Sequence, residues 1–156
     1  MNREILFKAK VKDSTEWIEG GLIVVKNTAR RFIVDINSKT ALRGVVTHCS
    51  DKYDWRSTEV DPDTVCQFTG ITTELGIDLY ENDIVECGGY RGVIKFEDGA
   101  FVIEWIGNGT EFLRKDLAYW AYTKTVIVTG NAFEPSNIVE RESSAIYHDF
   151  MKKGKM

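Results

Sequence analysis

The residues best suited to chemistry are four carboxylates in one stretch: Asp61, Asp63, Glu81 and Asp83, within VDPDTVCQFTGITTELGIDLYENDIVEC, residues 60–87. Carboxylates held a few ångströms apart can bind divalent cations or act as general acid and base. They can equally cap turns, because a short side-chain oxygen accepts a nearby backbone N–H. Capping is the reading adopted for Asp61, which precedes Pro62, and for Asp83, which closes Tyr80-Glu81-Asn82-Asp83. His48-Cys49 with Asp51 has the residue types of a nucleophilic or metal cluster, and His148 is the only other histidine. A thiol needs its base beside it, however, and adjacent strand residues point to opposite faces. Ser143 and Ser144 near His148 lack a nucleophile elbow. No catalytic, metal-ligating or cofactor-binding residue is assigned, no cofactor is expected, and the chain is expected not to be an enzyme.

A third group is suited to binding rather than reaction. Tyr53 and Trp55 flank a polar and aromatic segment with Arg56, and aromatic rings beside cations can stack bases or anchor a protein partner. These three residues are the candidate binding surface. Trp17, Trp105, Tyr119, Trp120 and Tyr122 could stack bases too, but most read as core. Lys8, Lys10, Lys12, Arg30 and Arg31 crowd the first third, where a local basic strip could exist. The formal charge of −4 and pI of about 5.3 argue against a surface built for bulk phosphate binding. Gly88-Gly89 and Gly107-Asn108-Gly109 lack the strand–glycine–helix context of a phosphate loop and read as turns.

The elements that must carry these residues are mostly strands. Ile5, Phe7, Ala9 and Val11 alternate with Leu6, Lys8 and Lys10, which predicts a strand with one apolar face. Asp13-Ser14-Thr15-Glu16 reads as a turn into a second strand, Trp17 to Val25, where Gly20-Gly21 signals a bulge or close backbone approach. Arg31 to Ile36 and Leu42 to His48 complete an antiparallel meander over residues 1–58. The segment Cys49 to Thr58 has no clean period and reads as an irregular connection. Residues 60–87 read as one long, specified turn entering a strand.

A second, small barrel-like β half then spans 59–134, with strands Ile84 to Cys87, Gly92 to Phe96, Ala100 to Trp105 and Val126 to Thr129. Glu97-Asp98-Gly99 is its strongest hairpin signal. Leu113, Leu117 and Trp120 stand at helical spacing, predicting a short helix near residue 115. Residues 135–156, with Ile138, Ile146, Tyr147, Phe150 and Met151, predict an amphipathic C-terminal helix. The expected fold class is therefore mainly β with two helices.

Composition agrees with this reading. The 156 residues are 43% hydrophobic and 28% charged, ordinary for a globular chain able to bury a core. Cys49, Cys66 and Cys87 make an odd count with no CxxC pair, which disfavours a disulfide framework or structural zinc. The start, MNREILFKAK, has no signal-peptide core, and no run approaches membrane-spanning length. The cytoplasm is the expected location.

With these residues in view, the chain resembles the YopX family of phage and prophage proteins. The resemblance is carried by VDPDTVCQFTGITTELGIDLYENDIV, where the family has TVxQFTG, a glycine-containing loop and an EGDIV-like strand entry. It continues through GVIKFEDGAFVIEW and VIVTGNAFE, and FKAKVKDSTEWIEGGLIV is similar to the family's opening. Residues 3–134 are covered. Asn82 stands where the family usually has glycine, Pro135-Ser136 replaces an Asn-Pro pair, and the tail extends past the usual ending. The resemblance implies a mostly β fold, phage or prophage origin, self-association and no established activity; it carries over no catalytic residue. The expectation is a non-enzymatic binding or assembly protein that forms a homo-oligomer, with a further protein partner unidentified and no membrane partner. A nucleic-acid-binding small barrel is the alternative, and a metal-dependent enzyme stands third.

Overall fold

The computed structural model describes residues 4–35, 46–50, 53–106 and 115–134. Within them the chain is mainly β, in two antiparallel sheets with one α-helix. It divides into two compact units, residues 1–70 and 71–156.

In the first unit the alternating segments form β1 (Phe7–Lys10), β2 (Trp17–Val24), β3 (Arg31–Asp35), β4 (Val46–Ser50) and β5 (Tyr53–Val60). A single 3-10 turn at Pro62–Thr64 leads to β6 (Cys66–Thr72). The strand order is β4-β5-β3-β2-β1-β6, and the sheet continues to β7 (Asp78–Tyr80). Strands β1 and β5, separated by β2 and β3 in that order, are drawn together, because Val11 bridges Val60 and the Asp61 N–H donates to the Lys10 carbonyl at 2.9 Å. Period-2 alternation sends Ala9, Ile33 and Val60 into a small core, with Phe7, Ile18, Leu22 and Val65 packed against it. Gly20 is required in β2: a Cβ there would collide with the Val34 carbonyl. This is the close backbone approach expected of Gly20-Gly21.

The second unit holds β8 (Asp83–Cys87), β9 (Tyr90–Glu97), β10 (Ala100–Ile106), α1 (Leu117–Thr123) and β11 (Val126–Asn131), with sheet order β10-β9-β8-β11. Both tight hairpins use the expected left-handed residues, Asp98 and Gly99 at φ 49° and 82°, Gly88 and Gly89 at 60° and 84°. One face buries Val85, Cys87, Ile94, Ile103, Trp105 and Val126 beneath Leu117 and Trp120 of α1. Burial of each such aliphatic side chain contributes roughly 1.5–3 kcal/mol, so this cluster is the main source of stability in the unit. Helix α1 starts where Asp116 accepts the Tyr119 N–H, a side-chain N-cap.

Three expectations need correction. Cys49 to Thr58 is not irregular: β4 and β5 pair in register from Val46↔Ser57 to Ser50↔Tyr53. Polar side chains hid the strand, since a partner on each side satisfies its backbone whatever faces solvent. Residues 60–87 are not one long turn, because β6 and β7 lie inside them. The second half is an open four-stranded sheet under a helix, not a closed barrel. The predicted tail helix lies outside the described residues.

Candidate functional site

The first half of the acidic motif is a joint. Asp61 caps the 3-10 turn by accepting the Asp63 N–H at 3.0 Å. The Thr64 hydroxyl donates to the Asp61 carbonyl at 2.8 Å and accepts the Lys10 N–H at 2.9 Å, fastening the turn to β1. The following strand pairs with β1 through Phe7↔Gln67 and Lys8↔Cys66, burying Phe68 and Thr69. VDPDTVCQFTG thus specifies how β6 leaves β5 and returns alongside β1.

The second half is a buried latch. Asp83 is 1% exposed; one carboxylate oxygen accepts the Tyr80 N–H at 2.8 Å, the other the Asn131 side-chain amide at 3.1 Å. Asn131, 5% exposed, accepts the Phe133 N–H through its own side-chain oxygen at 3.0 Å. Beside it, Asn82 adopts φ 65°, donates its N–H to Ile94 and accepts the Ala132 N–H. Its side-chain oxygen also takes a 3.0 Å bond from Lys95. A glycine could supply the left-handed backbone but not that bond, which accounts physically for asparagine at this position. Asp63, by contrast, is exposed, and Glu81 is only partly buried.

Cys66 and Cys87 are buried free thiols. Burial pushes the Cys87 thiol up to about 11, where thiolate reactivity is suppressed at neutral pH. Among the described residues no three of His, Cys, Asp or Glu gather as metal ligands would. His48 and Cys49 lie on β4; Asp51, Ser143, Ser144 and His148 lie outside the described residues.

Two surfaces have the composition of binding sites. On the first unit, Ala9 and Ile18 face the core, so Lys8, Lys10 and Trp17 share the outer face of β1–β2. The ammonium groups of Lys8 and Lys10 lie 5.5 and 5.6 Å from the centroid of the Trp17 ring. Nearby in the same unit, Arg30 grips Glu59 with two 3.0 Å bonds, Lys12 adds a 3.5 Å ion pair, and the Arg30 guanidinium lies 5.1 Å from the Phe32 ring centroid. The Arg30 bond holds the Glu59 carboxyl below the usual carboxylate range. Lys12, Arg30 and Glu59 line a cleft of about 300 Å³ with Asp13, Asp61 and Pro62. Trp17, read from sequence with the core aromatics, therefore belongs to an outer face. Only the Lys10↔Trp17 register reveals this, and no local pattern carries that register.

On the second unit, edge-to-face contacts link Tyr90, Trp105, Trp120 and Tyr119 at centroid distances of 5.9, 5.0 and 5.8 Å. The inner pair is buried while Tyr90 and Tyr119 are each 42% exposed, and Tyr122 beyond them is 93% exposed. Tyr119 and Tyr122 are thus surface rings rather than core. Tyr53, Trp55 and Arg56, the predicted surface, lie in β5 opposite Ser50, His48 and Thr47, within a regular strand rather than a connecting loop.

Among the described residues no helix is long and apolar enough to cross a membrane. No curated protein and no solved structure matches the chain. The family model described as YopX protein matches residues 6–140, a span that contains the 61–66 joint and both sides of the Asp83–Asn131 latch. The chain belongs to the YopX family.

Proposed function

We propose that this YopX-family chain is a phage- or prophage-derived protein that works by binding and assembly in the cytoplasm of a bacterial host, without catalysing a reaction, and that it binds a second copy of itself. The observation carrying this reading is the aromatic row of the second unit, which surfaces through Tyr90 and Tyr119 beside the exposed Tyr122. Tyrosine and tryptophan dominate interface cores because a large apolar ring comes with a polar edge. The motif carboxylates Asp61 and Asp83 are already engaged in holding backbone, which favours a structural role for them. Multi-angle light scattering at micromolar concentration tests the reading: a mass of two or more chains is expected, and a strictly monomeric mass overturns self-assembly.

A second reading, nucleic-acid binding, is favoured by one observation, the pairing of Lys8 and Lys10 with the half-buried Trp17 on the outer face of β1–β2. A mobility shift with single- and double-stranded DNA and RNA at low salt checks it, since electrostatic binding is strongest there.

A further inference from the structure

We propose that the outer face of β1–β2 is a site for single-stranded nucleic acid, with Trp17 as the stacking platform and Lys8 and Lys10 as the phosphate contacts. This rests on the nucleic-acid reading and gives it a site. Strand alternation fixes the face: Ala9 and Ile18 are turned to the core, leaving Lys8, Lys10, Trp17 and Glu19 on the opposite side, with Glu19 across from Lys8. On β3 the same side is buried at Phe32 and Val34, so the open face is that of β1–β2. Lys10 stands directly across from Trp17 in the β1–β2 register, and both lysine ammonium groups lie within 5.6 Å of that ring centroid. Each ammonium has three donors, so a lysine resting against the indole can also bond a phosphate. Beyond β1–β2, Glu59 fixes Lys12 and Arg30, and the guanidinium sits over the buried Phe32, where the open face ends.

The chemistry selects the polymer. An aromatic face beside fixed cations suits an unpaired base whose phosphate lies next to it; in a duplex the base faces are occupied by neighbouring bases. The chain carries a net charge of −4, so attraction is confined to this strip. Two phosphate contacts to a single strand give a salt slope of about −1.4, that is, roughly sevenfold weaker binding between 50 and 200 mM salt.

Fluorescence anisotropy of the full chain with a labelled single-stranded oligothymidylate, and with duplex DNA of equal length, tests this. The single strand is expected to bind more tightly than the duplex and to show that shallow salt slope. Lys8→Glu with Lys10→Glu is expected to weaken binding at least tenfold and to flatten the slope. Trp17→Leu is expected to weaken binding about fivefold or more with the slope retained; if this variant does not fold, the lysine pair alone decides. Wild-type binding that the lysine reversals leave unchanged overturns this face while the nucleic-acid reading stands. Preference for the duplex overturns the single-strand assignment. Absence of binding to every nucleic acid at low salt removes the reading and the face together.

Discussion

Asp83 shows what a motif carboxylate does here. It is fully enclosed, yet each oxygen has a donor, Tyr80 N–H on one side and the Asn131 amide on the other. A buried carboxylate is costly unless its lone pairs are filled, and removing it strands the donors instead. Asp83→Ala is therefore expected to lower stability by about 2–4 kcal/mol in urea unfolding, a loss from which neither partner can recover without water. A loss under about 1 kcal/mol would mean the latch is a by-product of packing rather than its cause. Glu86 works in the opposite sense. Burial raises its pKa, partly offset by the positive charge of Arg91, its cross-strand neighbour. A carboxyl raised in the folded state is charged at a cost, which is full above the folded pKa and disappears below the unfolded value of about 4.5. Glu86→Gln should raise the melting temperature at pH 7 and leave it unchanged near pH 4. A lower midpoint at pH 7 would show that attraction to Arg91 outweighs desolvation.

At the scale of elements, the motif is two fastenings. DPDT turns the chain from β5 towards β6 and ties it to β1, while ENDIV and VTGN are the two sides of one latch, joined across 48 positions of sequence. Turn chemistry was legible because proline, asparagine and left-handed glycine act within a few residues. Asp61 as a cap, Asn82 in the left-handed region and the Asp98-Gly99 hairpin all follow from local sterics. The partnership of Asp83 with Asn131 was not legible, since each looks like an ordinary turn residue until β11 pairs with β8. Gly92 is a similar case. A Cβ there would strike Ile103 and come within 3.2 Å of Trp105, so its lack of a side chain is what leaves room for Ile103 and Trp105 of β10 beside β9. Gly92→Ala should cost about 1–3 kcal/mol through overpacking and change the near-ultraviolet circular dichroism of the tryptophans. An unaltered aromatic signal would show that Trp105 has room to move.

At the scale of the whole molecule, composition and surface pull in different directions. The net charge of −4 keeps a basic role local, so the Lys8–Lys10–Trp17 face must act against a weakly repulsive background. The aromatic row of the second unit acts through ring burial, which needs no basic surface, and two copies at −4 each repel only weakly at physiological salt. This is why self-association leads among the proposed activities. If Tyr119 and Tyr122 form that interface, replacing both with serine should reduce the light-scattering mass to one chain while the circular dichroism of the fold persists. A multimer that survives this change would locate assembly on another surface.

The sequence by itself determined the class of fold, the positions of the tight turns, most strands and the family. These depend on period-2 alternation and on residues that restrict their own backbone, both of which are short-range physics. Tertiary structure alone decided that Cys49 to Thr58 contributes β4 and β5, that β6 and β7 lie within the supposed long turn, and that Trp17 faces outward beside two lysines. Each depends on which distant strand lies opposite. A polar strand is stabilised by its neighbours' backbones, and a side chain's surroundings are set by register, so neither is written in the residues nearby.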